Sequence, residues 1–207
     1  MKLCVFDFDS TLMDGETIDF LAGALGLQEK VAEITEMAMR GELDFFESLI
    51  TRVKLLEGLE EKKVNEICHS LPFMPGAKET IDTLKKRGYR VVVFSGGFRN
   101  ATSYAKDVLG LDGDFSNILH AKNGYLTGLV GGEMMFDFSK GDMLQRLQTI
   151  LNISPDDTVV VGDGANDRSM FAHAKTKIAF CAKEVLKKEA NVIVDQKDLR
   201  LVLEYAE

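Results

Sequence analysis

The sequence predicts an α/β protein built on a doubly wound parallel β-sheet, with an all-helical segment inserted after the first strand. Two observations lead to this prediction. From Gly76 onward, short apolar or β-branched runs alternate with segments of helical length, which indicates a parallel sheet with right-handed crossovers. Between the first apolar run and Gly76, apolar residues recur only at the spacing of a helix.

The first strand is predicted at Leu3–Phe6, an unbroken apolar run that suits a strand buried on both faces of the sheet. It ends at two carboxylates, Asp7 and Asp9, and ligands of open α/β sheets bind beyond the carboxyl ends of the strands. Two carboxylates this close repel each other unless a cation lies between them. A hard divalent ion, most simply Mg2+, accepts such oxygen ligands. The alternative is that both aspartates only end the strand and form a turn.

The helical segment extends from about residue 14 to residue 73 and is closed by Pro72 and Pro75. Its apolar residues recur every three or four positions, which predicts amphipathic helices. These helices are expected at Thr17–Leu25, Gln28–Arg40, Leu43–Leu56 and Glu60–Leu71. We therefore divide the chain into an α/β core of residues 1–13 and 74–207 and a helical domain of residues 14–73.

The other elements of the core are predicted from apolar runs and from glycines at helix ends. Helices are expected at Ala77–Arg87, Arg99–Leu109, Lys140–Leu151, Asn166–Ala174, Glu184–Glu189 and Leu199–Tyr205. Strands are expected at Arg90–Phe94, Thr158–Val161, Lys177–Phe180 and Val192–Val194. The glycine-rich stretch Leu119–Glu133 predicts one or two β-hairpins.

Polar residues follow two further strands and begin one helix. Ser95-Gly96-Gly97 ends the second strand, where backbone N–H groups can approach an anion closely. Lys140 begins a helix, against the helix dipole, so we expect its ammonium to face an anion. Gly162–Asp167 is an acidic loop after a buried strand. Taken singly, an ordinary turn and a solvated lysine remain the alternatives at the first two places.

Composition restricts the partners of the protein. Apolar residues make up 45% of the 207 residues, enough for a buried core, and the net charge is −8. An acidic protein binds nucleic acid or anionic membrane poorly, so we expect neither as a partner. Asp7 and Asp9 fall where a signal peptide would be apolar, and the cysteines are odd in number and widely spaced. We therefore expect buried free thiols and a cytoplasmic protein.

The polar segments together supply the groups needed to transfer a phosphoryl group to a carboxylate. A carboxylate can attack phosphorus and form an aspartyl-phosphate. A metal ion neutralises both anions, and a lysine and N–H donors stabilise charge on the phosphoryl oxygens. A second carboxylic acid protonates the leaving oxygen and later accepts a proton from water.

At these residues the sequence resembles the haloacid dehalogenase superfamily, and within it the phosphoserine phosphatases. The motifs of the family occur in order along nearly the whole chain, as Asp7–Thr11, Ser95-Gly96-Gly97, Lys140 and Gly162–Asp167. The resemblance implies a Rossmann-like, haloacid dehalogenase-like fold in which residues 14–73 form a small cap over the substrate. It also implies hydrolysis of O-phospho-L-serine to L-serine and phosphate, the last step of serine biosynthesis.

The resemblance assigns roles to individual residues. Asp7 would be the nucleophile and Asp9 the general acid/base. The ligands of Mg2+ would be Asp7, the Asp9 carbonyl and Asp163, with Asp167 in support. The phosphoryl group would be bound by Lys140, Ser95, Gly96, Gly97 and Asn166. The amino-acid part of the substrate would be bound by Glu16, Phe45 and Arg52.

Other functions remain open at this point. A phosphotransferase of the same fold would pass the phosphoryl group to another alcohol, such as homoserine. A signalling receiver would carry its acceptor aspartate on a middle strand and would have no cap. A binding protein on an inactive scaffold would be expected to lack Asp7, Asp9 or Lys140, and all three are present. We expect a monomer or a homodimer.

Overall fold

The computed structural model describes residues 1–40 and 42–206, apart from the side chain of Met39. Its strands form one sheet in the order β4-β3-β2-β1-β5-β6-β7, and only β4 runs antiparallel to its neighbour. The strands are β1 (Lys2–Asp7), β2 (Tyr89–Phe98), β3 (Gly113–Lys122), β4 (Tyr125–Gly132), β5 (Thr158–Gly162), β6 (Thr176–Phe180) and β7 (Val192–Val194). The predicted α/β class is confirmed.

The helices separate into a cluster that follows β1 and a set that alternates with the later strands. The first cluster comprises α1 (Thr17–Gly23), α2 (Gln28–Met39), α3 (Phe45–Lys54) and α4 (Glu61–Cys68). The others are α5 (Ala77–Lys86), α6 (Arg99–Leu109), α7 (Ser139–Leu151), α8 (Arg168–Phe171) and α9 (Glu184–Lys187). Short 3-10 helices span Pro155–Asp157, Ala165–Asp167 and Leu199–Glu204.

Side chains of the central strands alternate between two apolar layers, because successive residues of a strand point to opposite faces. On one face, Leu3 and Val5 of β1 join the cluster that contains Leu144 of α7. On the other face, Cys4 and Phe6 join the cluster that contains α5, α6 and the buried residues of α1–α4. Helices on both faces are why β1 can be apolar throughout.

The order of strands puts three carboxyl ends side by side. β1 is central and pairs in parallel with β2 on one side and with β5 on the other. The chain leaves β1 toward β2 and later returns to β5, so the connections diverge at this point and open a crevice. The three sequence segments that end these strands therefore meet at one edge of the sheet.

The helical cluster is attached to the antiparallel edge of the sheet. The backbone N–H of Gly58 donates to the carbonyl of Leu126 in β4, at 2.9 Å, and the Leu126 N–H donates to Leu59, at 2.8 Å. Glu61 donates likewise to Gly124. These bonds cover an edge strand that would otherwise present unpaired backbone groups. Among the described residues, no helix has both the length and the apolar character needed to cross a bilayer.

A stack of aromatic rings forms a second contact between the helical cluster and the α/β core. Phe46 of α3 stacks on Phe136, with ring centroids 5.3 Å apart. Phe136 stacks in turn on Phe138, at 5.2 Å. Both core rings lie in the segment before α7, the helix that carries Lys140. The stack thus joins α3 to the segment that leads into the lysine.

The structure differs from the sequence prediction in several places. The helix expected at Asn166–Ala174 is a 3-10 helix, Ala165–Asp167, followed by the short helix α8, Arg168–Phe171. β3 begins at Gly113 and runs parallel to β2 before it forms the hairpin, whereas only the hairpin was predicted. The first half of β3 contains polar residues, so a search for apolar runs did not predict it. The last helix is a 3-10 helix, Leu199–Glu204. Cys4 and Cys68 are buried as expected, but Cys181 is partly exposed, because it lies in the turn after β6.

Candidate active site

A buried lysine lies between two aspartates at the carboxyl edge of the sheet. The Nζ atom of Lys140 is 2.7 Å from Asp7 Oδ1 and 2.6 Å from Asp167 Oδ1. Burial alone would lower the pKa of Lys140, but Asp167 and Asp7 outweigh it and raise the pKa above its usual value. Lys140 is only 2% exposed, so it is a charged group of the site and not a solvated surface lysine.

The acidic loop after β5 wraps its backbone around the carboxylate of Asp167. Asp167 Oδ2 accepts hydrogen bonds from the N–H groups of Asp163 and Gly164, both at 3.0 Å. A Cβ atom at Gly162 would overlap the carboxylate of Asp167, so the close approach requires glycine there. One oxygen of Asp167 is therefore held by the loop while the other contacts Lys140.

Three carboxylates form a cluster that could hold a metal ion. Oxygens of Asp7, Asp163 and Asp167 all lie within 4.8 Å of one another, and all three residues are buried. Burial, followed by repulsion from Asp167, raises the pKa of Asp163 to about 7. Burial and the same neighbour raise the pKa of Asp7 well above its usual value, against the opposing effect of Lys140. Hard oxygen donors so arranged suit a divalent metal ion.

Asp9 faces away from this cluster, toward the start of α1. Its Oδ1 accepts hydrogen bonds from the N–H and the hydroxyl of Thr17, at 2.7 and 2.5 Å. Its Oδ2 accepts from the Ser95 hydroxyl at 3.3 Å. Burial raises the pKa of Asp9, although the bonds from Thr17 oppose the shift. The Asp9 carboxylate is thus fixed between Thr17 and Ser95.

Ser95-Gly96-Gly97 forms a bulge at the end of β2. Phe94 pairs with Phe115 and Phe98 pairs with Asn117, so the segment contains extra residues relative to β3. The N–H of Gly97 donates to Ser95 Oγ at 2.9 Å. A Cβ atom at Gly97 would lie 2.7 Å from Asp9 Oδ2, which explains why glycine stands beside the carboxylate.

The residues predicted to bind the amino-acid part of the substrate line the same crevice from the helical side. A Cβ atom at Gly96 would lie 2.9 Å from the ring of Phe45, so this ring covers the Ser95–Gly97 bulge. The Ser10 hydroxyl donates to Glu16 Oε1 at 2.7 Å. Burial and repulsion from Asp9 raise the pKa of Glu16 to about 7.

Arg52 is a half-buried cation of α3. Its Nε donates to the carbonyl of Ser48, one turn earlier in the helix, at 3.2 Å. Burial lowers the pKa of Arg52, whereas the charges of Glu16 and Asp19 oppose that shift. Glu16 and Arg52 are therefore within electrostatic reach of each other. Together they place one carboxyl and one guanidinium group within electrostatic reach of Asp9.

Asn166 lies at the rim of the acidic loop. It is half-buried, and a Cβ atom at Gly164 would lie 2.6 Å from its Oδ1, so the side chain folds back over that glycine. Contacts and charge interactions thus connect the predicted site residues at the carboxyl edge of the sheet. The side chain of Asp9 stands outside the carboxylate cluster, and the metal ligand predicted at this residue is its backbone carbonyl.

Three polar residues of the site were missed by sequence reasoning. Thr17 and Ser10 hold Asp9 and Glu16, and their closeness in sequence to the first motif was a usable signal. Asn117 is fully buried in β3 and donates to the carbonyl of Gly96 at 3.0 Å. Nothing local in the sequence marks Asn117, because it reaches the site only through strand pairing.

Substitution of Gly162 tests how tightly the acidic loop must fit. We expect Gly162→Ala to displace Asp167, to lower the free energy of unfolding by about 1–3 kcal/mol, and to reduce enzymatic turnover at least tenfold. Urea unfolding and steady-state kinetics measure the two effects. Gly131→Ala is the matched control, because a Cβ atom at Gly131 meets nothing within 4 Å. Equal behaviour of the two variants would contradict the close fit at Gly162.

Comparisons with known proteins agree with this geometry. The sequence model of the haloacid dehalogenase-like hydrolases matches residues 1–175. A phosphoserine phosphatase of Wolinella succinogenes is 64% identical over 203 residues, which cover 98% of each chain.

Solved structures give the same result. A phospho-aspartyl intermediate analogue of phosphoserine phosphatase has a TM-score of 0.95 and 48% identity, and the match covers 100% of this chain and 99% of that one. A substrate-bound phosphoserine phosphatase complex also has a TM-score of 0.95 and 48% identity, with 100% and 98% covered. The chain therefore belongs to the haloacid dehalogenase-like hydrolase family.

Proposed function

We propose that the protein hydrolyses O-phospho-L-serine to L-serine and phosphate through an aspartyl-phosphate formed on Asp7. The observation that carries the proposal is the pairing of Asp7 with Lys140 at the edge of the sheet where Phe45 lies against Gly96 and Arg52 is within electrostatic reach of Glu16. The first pair supplies a nucleophile and a cation for phosphate, and the others suit an amino acid. The full-length similarity to phosphoserine phosphatases supports the same reaction.

We propose Mg2+ as the metal of the site. The donor set fits it, because the buried oxygens of Asp7, Asp163 and Asp167 converge within 4.8 Å and Mg2+ prefers carboxylates together with substrate oxygens. When bound there, a divalent cation supplies positive charge that keeps the carboxylates ionised and lets Asp7 approach an anionic ester. The Asp9 carbonyl is the further protein ligand that the family resemblance implies.

In the first step, a carboxylate oxygen of Asp7 attacks phosphorus and the bond from phosphorus to the serine oxygen breaks. Asp9 gives its proton to the departing serine oxygen. Burial raises the pKa of Asp9, a shift in the direction that suits a general acid, and its bonds to Thr17 and Ser95 hold it in place. The products of this step are serine and phosphorylated Asp7.

In the second step, water attacks phosphorus and Asp9 accepts a proton from that water. The bond between phosphorus and the Asp7 oxygen breaks, which regenerates the carboxylate and releases phosphate. Lys140 stabilises negative charge on the phosphoryl oxygens, and Asp167 keeps the lysine in position at 2.6 Å. The bulge at Ser95-Gly96-Gly97, with Asn166 at the rim, binds the same oxygens.

The groups that contact the amino-acid part of the substrate would determine substrate specificity. Glu16 would pair with the ammonium, and Arg52 would bind the carboxylate with two parallel hydrogen bonds, which lysine forms poorly. Phe45 would close the crevice over the bulge. We therefore treat residues 14–73 as a cap and residues 1–13 and 74–207 as the catalytic core. We further propose that the protein acts in the cytoplasm, as a monomer or a homodimer.

Phosphate release from a panel of small phosphomonoesters, with Mg2+ and with EDTA, tests the function. Phosphoserine should be the best substrate, and EDTA should abolish its turnover. Adding acceptor alcohols such as homoserine examines the alternative of phosphoryl transfer, which would appear as a new phosphate ester. A better substrate without an amino-acid group, or full activity in EDTA, would overturn the proposal.

Replacement of the nucleophile should remove nearly all activity. Asp7→Asn keeps the shape of the side chain but removes the attacking charge and one metal ligand, so kcat should fall by orders of magnitude. Steady-state phosphate release measures the loss. Asp14→Asn, at a partly exposed aspartate paired with Lys197, serves as the control and should retain normal turnover. If Asp7→Asn keeps roughly a tenth of the wild-type rate, Asp7 is not the nucleophile.

If Asp9 is the general acid, the effect of replacing it should depend on the leaving group. Asp9→Asn should impair phosphoserine hydrolysis strongly but should impair p-nitrophenyl phosphate hydrolysis less, because p-nitrophenolate needs little protonation. The ratio of the two losses in kcat is the measurement. Equal losses on both esters would assign Asp9 a different task, such as support of the metal site.

Arg52 should act on substrates that carry a carboxylate. Truncation of one partner of a charge pair in a closed site costs ~2–5 kcal/mol, so Arg52→Ala should lower kcat/KM for phosphoserine by roughly 30- to 1,000-fold or more. Hydrolysis of phosphoethanolamine should change little. The control is Lys54→Ala, at an exposed cation of the same helix that pairs with Glu57. Parallel losses on both esters would show that Arg52 only supports the structure of α3.

A further inference from the structure

Asn117 makes hydrogen bonds with all the polar groups of its amide. It is fully buried in β3. Its Nδ2 donates to the carbonyls of Gly96 and Met134, both at 3.0 Å, and its Oδ1 accepts from the Met134 N–H, also at 3.0 Å. The side chain thus joins the bulge at the end of β2 to the segment that precedes α7. A buried amide this well satisfied holds a single orientation.

The bond to Gly96 fixes the direction of one peptide group. In a trans peptide, the carbonyl and the following N–H point in opposite directions. Because the Gly96 carbonyl points toward β3, the Gly97 N–H points away from β3, and it donates to Ser95 Oγ at 2.9 Å. The bulge has no regular strand pairing between Phe94 and Phe98, so a side chain must supply this orientation.

The bond from Gly97 sets the polarity of the Ser95 hydroxyl. A hydroxyl carries one proton and accepts through its lone pairs. With the Gly97 N–H donating to its oxygen, the Ser95 proton is directed to the other side, where Asp9 Oδ2 lies 3.3 Å away. A chain of hydrogen bonds therefore runs from Asn117 through the Gly96–Gly97 peptide and Ser95 to Asp9.

We propose that Asn117 is a positioning residue, which holds the Ser95 hydroxyl so that its one proton is offered on the side of Asp9, either to Asp9 or, in its place, to an oxygen of a bound phosphoryl group. Asn117 touches neither the substrate nor the reacting atoms, and it acts through the Gly96–Gly97 peptide. The inference rests on the proposed function only in taking Ser95 to contact the phosphoryl group. It adds β3 to the elements that build the site, although none of the family motifs lies in β3.

A double-mutant cycle between Asn117 and Ser95 tests the proposal. Asn117→Leu should lower kcat/KM by about 10- to 100-fold, the range for residues that orient a group touching the reaction centre. In the Ser95→Ala background, the same substitution should change kcat/KM by no more than about twofold, because the group that Asn117 orients is already gone. An equal loss in both backgrounds, or no loss with Ser95 present, would overturn the proposal.

A second variant guards against a failure to fold. Asn117→Asp keeps the volume and the acceptor for the Met134 N–H, but it replaces the donor to the Gly96 and Met134 carbonyls with a carboxylate oxygen. The same coupling with Ser95→Ala is expected, and additive losses would again contradict the proposal. Circular dichroism and thermal unfolding check that each variant is folded.

Ser116→Ala is the matched control. Ser116 is the buried neighbour of Asn117 in β3, and its hydroxyl pairs with Thr102, which keeps Asp114 as a second partner. This variant should retain the wild-type kcat/KM, and a loss as large as that of Asn117→Leu would contradict a specific role for Asn117. The cycle uses whichever phosphomonoester the wild type hydrolyses best. A wrong substrate assignment would therefore appear in the substrate preference of the wild type, whereas a wrong role for Asn117 would appear only in the kcat/KM values of the variants.

Discussion

The site depends on an excess of buried negative charge at the carboxyl edge of the sheet. Asp7, Asp163 and Asp167 converge there, and Lys140 is the cation in contact with two of them. One ammonium cannot neutralise three carboxylates, which is why burial and mutual repulsion raise the pKa values of Asp7 and Asp163. A divalent cation would balance the remaining negative charge and would let an anionic ester approach, so the electrostatics that would destabilise an inert core suit phosphoryl transfer.

The fold can hold these carboxylates close together because the backbone at glycine residues leaves room for them. β1, β2 and β5 end side by side, and glycine at position 162 lets Asp167 pack against the strand end. On the other side of the crevice, Gly97 lets the Asp9 carboxylate approach the bulge. Helices α1–α4 are joined to the core through β4 and through the ring stack of Phe46. The site is therefore built by the sheet, and the proposed cap is attached beside it.

The sequence was sufficient for the fold class and for most residues of the crevice, and the reason is geometric. In a parallel sheet, a polar residue directly after an apolar strand must lie at the carboxyl edge, so Asp7, Ser95 and Asp163 could be placed together. Asn117 could not be placed, because the polar start of β3 hides the strand and its contact with Gly96 spans two strands. The orientation of the Asp9 side chain toward Thr17 depends on its rotamer, which the spacing of residues in the sequence does not determine. The catalytic and binding roles themselves stay predictions.

The central claim is that the phosphoryl group passes through Asp7. The most direct measurement is mass spectrometry of peptides from enzyme that is quenched in acid during turnover of phosphoserine. We expect one phosphoryl group on the peptide that carries Asp7 and none on that peptide from the Asp7→Asn variant. Steady turnover with Asp7 unmodified, or a phosphoryl group on any other residue, would contradict it.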